Sequence, residues 1–195
     1  MIDVITDAIP VQYQSHIQSM TQGLQWWWST NTSYSPADPQ YKNAVDLLKT
    51  DSCIIENGQF THTVYAQREI KSEIYGFVIP ILYMFADKAG IQINDVLRIR
   101  INLLLQDKTF KNYNYNFPHT DPDSVKSFIY YINDSDGDTV FFNEFKSDEF
   151  PKRFTINSRV TPRQGSGVFF NSAQYHTSSN PAHTPARYII NFNFT

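Results

Sequence analysis

Arg187–Phe194 reads RYIINFNF. Tyr188, Ile190, Phe192 and Phe194 alternate with Arg187, Ile189, Asn191 and Asn193, and alternate residues of a strand point to opposite faces. One face is apolar enough to pack against helices. The other carries an arginine and two asparagines, which suits a polar-lined barrel interior. Working back from this strand, the same signal recurs at Leu97–Gln106, Val125–Asn133, Thr139–Glu144, Asn157–Thr161 and Gly167–Asn171. Turn signals separate these runs, among them Asp136-Gly137 and Gly165-Ser166-Gly167. Many short strands of this kind predict a sandwich or a jelly roll. Phe128-Ile129-Tyr130-Tyr131-Ile132 is apolar on both faces and reads as a central strand.

The first ninety residues differ in kind. Asp38–Thr50 carries a capping residue, an early proline and apolar Tyr41, Ala44, Val45 and Leu48 at helical spacing. Glu69–Ala89 is a longer helical pattern that Pro80 is expected to kink or split. A short strand over Cys53–Phe60, the Asn57-Gly58 turn and a partner at Thr61–Ala66 predict a hairpin. The class is therefore mainly β with N-terminal helices, α+β. The whole chain, 1–195, is expected to be one domain, with a support region over 1–96 and a β core over 97–195.

Composition narrows the function classes. The net charge is −3 and the basic residues do not cluster, which argues against a nucleic-acid partner. No stretch approaches the roughly 20 apolar residues of a membrane span. Met1–Pro10 has acids and no basic region, which argues against a secretory signal. A lone cysteine, Cys53, fits a reducing cytoplasm.

His119-Thr120-Asp121 carries the chemistry. An H-x-D triplet is cheap by itself. On a strand, however, residues i and i+2 share a face, so both side chains can reach one ion. Pro118 and Pro122 bracket the triplet and restrict its backbone. A third donor must come from a distant strand. His176 follows the strand-like run GVFFNSAQYH, whereas His183 lies between Pro181 and Pro185, so His176 is preferred. Two imidazoles and a carboxylate can occupy one face of a non-heme Fe(II) and leave the opposite face open. Arg187 adds a permanently charged fork for a carboxylate.

Other features have plainer readings. Asp134, Asp136 and Asp138 lack the glycine of a calcium loop, because Thr139 stands there, and read as a hairpin turn. Asn143–Arg153 reads as a solvated loop, and His16 and His62 as surface or packing residues. Trp26-Trp27-Trp28 is expected to pack against a sheet, with substrate stacking as the alternative. Lys108–Asn116 reads as a loop over the site mouth. Arg100 and Arg163 are either surface charges or substrate contacts.

PHTD at 118–121, FIYYINDSDGDTVFF at 128–142, VTPRQGSGVFFNSAQYH at 160–176 and ARYIINF at 186–192 occur in an order that resembles a known family. It is the prolyl 4-hydroxylase-like branch of the Fe(II)/2-oxoglutarate dioxygenases, small phage-encoded members in particular. The resemblance covers roughly residues 97–195. It implies a double-stranded β-helix, a cupin-like jelly roll with helices packed on one sheet. It implies Fe(II) held by His119, Asp121 and His176. Arg187 and the Tyr131 hydroxyl would bind the distal carboxylate of 2-oxoglutarate, with Thr139 and Asn102 in the cofactor pocket. The substrate would be a prolyl residue of a peptide or protein, or a small molecule. The place would be the cytoplasm, that of the host if phage-encoded. Two other readings remain open: a cupin-like metalloenzyme that does not use 2-oxoglutarate, and a non-catalytic jelly roll that binds or builds.

Overall fold

The computed structural model describes residues 2–34, 37–121 and 126–195. In chain order these form β1 (Asp3–Ile5), α1 (Val11–Thr21), β2 (Trp27–Ser29), α2 (Tyr41–Leu48), β3 (Gln59–Ala66), β4 (Glu69–Ile70) and α3 (Tyr75–Ala89). There follow β5 (Val96–Leu105), β6 (Lys126–Tyr131), β7 (Thr139–Phe145), β8 (Ile156–Val160), β9 (Gly167–Asn171), β10 (Gln174–Ser178) and β11 (Ala186–Phe194). An eight-stranded sheet runs β1-β9-β6-β11-β5-β3-β2, with β4 on β3, and a three-stranded sheet runs β10-β7-β8. The pairings between these strands are antiparallel, and an isolated bridge between Ile54 and Tyr115 is parallel. The result is a double-stranded β-helix.

Alternation along the strands sorts side chains into layers. Phe128, Tyr130, Ile190, Phe192 and Phe194 pack with Val78, Ile81, Leu82 and Phe85 of α3 and Ile17 of α1. On the other face, Ile129, Tyr131, Val168, Phe170 and Ile189 meet Phe141 of the small sheet. The β6 strand is thus buried on both faces and lies between β9 and β11, as its all-apolar run predicts. Val125, the expected first residue of that strand, lies outside the described residues, as does Pro122.

Several expectations need correction. Of the three helices, α1 and α3 cover the large sheet, whereas Ala44 and Leu47 of α2 pack outside the small sheet with Val140, Phe142 and Tyr175. Pro80 lies inside a single helix rather than splitting it, and Glu69–Ile70 forms a short strand. The α1 helix escapes sequence reading because it is polar, starts at Pro10 without a side-chain cap, and buries two residues, Ile17 and Thr21. The hairpin at Asn57-Gly58 does not form. β3 pairs instead with β2, β4 and β5. Gly58 answers a close approach: a Cβ there would meet the Trp28 ring at 2.2 Å. Asp134–Asp138 is a crossover between the two sheets, not a hairpin. Its carboxylates diverge: Asp136 accepts the amides of Ala182, His183 and Thr184, and Asp138 accepts the Thr161 hydroxyl.

Candidate active site

The chain before His119 joins the small sheet at its edge. His119 and His176 exchange two backbone hydrogen bonds, each of 2.9 Å. That pairing sets the two rings 4.5 Å apart, centre to centre. Asp121 lies two residues on, and candidate ligand atoms of His119, Asp121 and His176 lie within 4.8 Å of one another. Among the described residues this is the one such cluster of His, Cys, Asp and Glu.

The imidazoles are oriented from behind. His176 Nδ1 bonds the Gln174 carbonyl at 3.0 Å, and His119 Nδ1 bonds Ser33 Oγ at 2.8 Å. Each ring therefore has Nε2 left over for an ion, the arrangement that metal-binding histidines adopt. Burial pulls the His119 pKa down to about 3, with help from the neighbouring His176. Burial lowers the His176 pKa too. Neutral imidazoles are the form a metal needs.

Asp121 is 4% exposed and sits in a closed ring of hydrogen bonds. Arg98 donates to Asp121 Oδ1 at 3.0 Å and to Asn193 Oδ1 at 2.8 Å. Asn193 donates to Ser127 Oγ at 2.9 Å, and Ser127 donates to Asp121 Oδ2 at 2.6 Å. Burial alone would raise the Asp121 pKa; His176, Arg98, His119 and the Ser127 hydroxyl outweigh it and hold the group at about 2. The carboxylate is ionised and fixed.

A pocket continues from the histidines into the barrel, with Asn102, Ile129, Thr139, Thr177, Arg187, Ile189 and Asn191 on its walls. Arg187 is 2% exposed and donates to Thr139 Oγ1 at 2.7 Å. Thr139 also shares a 2.8 Å hydrogen bond with the fully buried Tyr131 hydroxyl. Burial pushes Tyr131 up to about 12, so it is protonated and able to donate. Arg187 Nε, Asn102 Oδ1, Asn191 Oδ1 and Thr177 Oγ1 are buried without a partner. Unpaired buried polar atoms are costly. Arg187 Nε, a donor on a buried cation, fits an absent anionic group, and the Asn102 and Asn191 amide oxygens, which accept, fit donor groups or water around it.

The structure thus brings together His119, Asp121, His176, Arg187, Tyr131, Thr139 and Asn102. His183 is exposed on its loop, and Arg163 is exposed too. His62 bonds the Gln25 carbonyl and the Ser72 hydroxyl, and His16 packs on Phe77. Trp26 packs on Tyr188, but Trp27 and Trp28 are 67% and 57% exposed. The 108–116 stretch is anchored rather than draped over the site. Phe110, Asn114, Tyr115 and Asn116 are buried, and Asn116 bonds Ser178 and Asn180. Its outer residues line a separate cavity with Asp138, Arg159 and His183.

Sequence reasoning missed Ser33, Glu56, Arg98 and Ser127. Arg98 was readable, since it shares a strand face with Asn102 at a spacing of four. Ser33 and Glu56 lie on irregular chain, where no period marks them. Glu56 accepts the amides of Phe117 and Thr32 and fixes both segments around His119. Burial pushes its carboxyl up to about 7 despite those bonds.

No protein-family model and no curated protein matches the chain in sequence. Solved structures do match. A 2OG-Fe(II) oxygenase family oxidoreductase from Burkholderia pseudomallei aligns at TM-score 0.63 and 14% identity, over 100% of this chain and 84% of that one. A Trichoplax adhaerens prolyl hydroxylase, in complex with a hypoxia inducible factor peptide fragment, aligns at TM-score 0.57 and 12% identity, over 99% and 82%. HygX from Streptomyces hygroscopicus, with nickel and 2-oxoglutarate bound, aligns at TM-score 0.54 and 13% identity, over 98% and 81%. No helix among the described residues is long and apolar enough to cross a membrane. The chain has the double-stranded β-helix fold of the 2-oxoglutarate/Fe(II) oxygenases.

Proposed function

We propose that the protein is an Fe(II)- and 2-oxoglutarate-dependent oxygenase that hydroxylates an unactivated C–H bond, with a prolyl residue of a peptide or protein as its substrate. The observation that carries this reading is the continuity of one pocket from a His-Asp-His cluster to a buried arginine. A metal site without a co-substrate pocket would need no buried guanidinium 2% exposed at its far end.

His119, Asp121 and His176 would hold the metal by one face. Arg187 would take the distal carboxylate of 2-oxoglutarate, a charge-assisted contact stronger than a neutral hydrogen bond. Tyr131 and Thr139 form the polar corner beside it, and Asn102 would meet the co-substrate from β5. When bound, iron and 2-oxoglutarate supply with dioxygen the oxidant that replaces C–H by C–OH, releasing succinate and carbon dioxide. The protein's part is to orient these groups and keep water from them. Ile129 and Ile189 give the pocket its apolar sides.

Support for a peptide substrate comes from two directions. One structural relative is a prolyl hydroxylase bound to a peptide fragment. In this chain, Trp27 lies opposite Thr61, which lies opposite Asn102. Cross-strand partners share a face, so an exposed indole stands on the open edge of the sheet that floors the pocket. The test is substrate-stimulated succinate release, with mass spectrometry for a product heavier by one oxygen atom. Proline-rich peptides, free proline and single-stranded oligonucleotides are compared side by side. Stimulation by peptides supports the proposal. Stimulation by oligonucleotides alone overturns the peptide assignment, and absence of succinate with every probe overturns the oxygenase.

A further inference from the structure

Three arginines point from the large sheet toward the barrel interior, and two have visible employment. Arg187 faces the co-substrate pocket and Arg98 is bound to Asp121 and Asn193. Arg100 is different. It stands between Arg98 and Asn102 on the same face of β5, about 7 Å along the strand from each. Its cross-strand neighbours are Asn191 on β11 and Thr63 on β3. Asn191 lines the pocket beside both histidines. Arg100 Nε is shut off from solvent and has no hydrogen-bond partner, and neither has Asn191 Oδ1 beside it.

A guanidinium in this position is expensive. Taking the charge out of water costs several kcal/mol unless a partner compensates, and Arg98 repels it from two residues away. Burial and that repulsion pull its pKa down to about 10, and Asp121, already paired with Arg98, offsets this only in part. The charges around the cleft tell the same story. A divalent ion and the 2-oxoglutarate dianion cancel formally. Arg187, Arg98 and Arg100 against Asp121 then leave the cleft positive.

We infer that Arg100 is the receptor for a carboxylate carried by the primary substrate. The inference rests on the oxygenase reading and deepens it by naming the substrate class. A planar fork with an unsatisfied Nε matches the two oxygens of a carboxylate. Approach is from the β2–β3 edge, where Thr61 and Thr63 are half-buried and Trp27 is exposed. A carboxylate on Arg100 would place the adjoining part of the substrate near the open side of the His119/Asp121/His176 cluster. The same chemistry is offered by a free amino acid and by an acidic side chain flanking the target residue of a peptide.

Two measurements test this. The first is independent of turnover: formate is titrated into protein loaded with Zn(II) and 2-oxoglutarate, and arginine Nε resonances are followed by 15N NMR. The Arg100 signal is assigned by its loss in Arg100→Lys. A saturable shift of that signal is expected. An unmoved signal overturns the inference and means that Arg100 and Asn191 satisfy each other. The second uses the Fe(II) enzyme with matched probes: L-proline against L-prolinamide, and a proline peptide flanked by aspartate against the same peptide with asparagine. The acid member of one pair is expected to have the lower KM by roughly ten- to a hundredfold, and which pair responds identifies the source. Arg100→Gln should erase that difference. Equal KM values within both pairs overturn the inference. A formate shift without any succinate release sinks the oxygenase reading and leaves the carboxylate receptor standing.

Discussion

The two histidines of the cluster are held by different kinds of structure. His176 lies on β10, where ladder bonds, the Gln174 carbonyl and the rings of Phe141 and Phe170 fix it. His119 shares the backbone pairing, but its imidazole is steadied by an irregular strap over 31–34. Ser33 bonds His119 Nδ1, Tyr34 donates to the Pro118 carbonyl, and Glu56 ties Thr32 to Phe117. The difference teaches that His176 belongs to the repeating part of the fold, whereas His119 lies between β5 and β6, outside any strand, and takes its fine positioning partly from the non-repeating part. Loss of a donor should therefore be catastrophic for metal binding, and loss of a strap contact graded.

The largest expected effect is on the barrel side. His176→Ala or Asp121→Ala should weaken Fe(II) binding at least a hundredfold in anaerobic equilibrium dialysis, and His183→Ala should leave it unchanged. The reverse pattern would break the comparison at its root. Next comes Arg187→Ala, which removes a buried charged partner, a loss of about 2–5 kcal/mol. The 2-oxoglutarate constant should rise tens-fold or more by calorimetry while iron affinity stays near that of the parent.

Arg98→Met should lower iron affinity by roughly 10–100-fold, the usual range for a residue that orients a ligand. A smaller loss would mean that Ser127 alone holds Asp121. On the strap, Ser33→Ala removes hydrogen bonds to His119 Nδ1 and to the Phe117 carbonyl. The first, the one that orients the imidazole, is worth about 0.5–1.5 kcal/mol, so iron affinity should fall by less than about tenfold. A loss as large as that of His176→Ala would erase the distinction between the regions.

The last effect is on stability rather than on ligand binding and concerns Glu56. Its folded pKa of about 7 lies above the ordinary 4.5. The folded state therefore holds this proton more tightly than the unfolded chain, and stability is full below about pH 4.5. It declines as pH rises toward about 7. His119 and His176, whose folded pKa values are lowered, push stability the other way over the same range. The decline should therefore appear in the difference between denaturant titrations of the metal-free parent and of Glu56→Gln. An unchanged slope in the variant would assign the titration to another group.

Legibility in the sequence follows the same division. A sandwich or jelly roll could be read because RYIINFNF sorts its faces cleanly and because the both-sides-apolar 128–132 run has one place to go, the middle of a sheet. The double-stranded β-helix was what the family resemblance implied. His119 and Asp121 were expected on a strand, but they lie on irregular chain joined to β10 by one isolated bridge. Tyr131, Thr139 and Asn102 beside Arg187 were implied by the family resemblance rather than by spacing. The hairpin at Asn57-Gly58 was misread because a glycine that makes room for the Trp28 ring looks in sequence like a glycine that makes a turn. The α1 helix was invisible because its burial of Ile17 and Thr21 leaves almost no apolar period. Ser33 and Glu56 act across 86 and 61 residues of chain, on His119 and Phe117, and local sequence carries no trace of such contacts.

The most direct test of the central claim is an anaerobic titration of metal-free protein with Fe(II) and then 2-oxoglutarate, followed by calorimetry and visible absorption. The account predicts one Fe(II) per chain, one 2-oxoglutarate that binds tightly once iron is in place, and loss of both in His176→Ala. Tight 2-oxoglutarate binding that ignores iron, or iron binding that survives loss of His176, would contradict it.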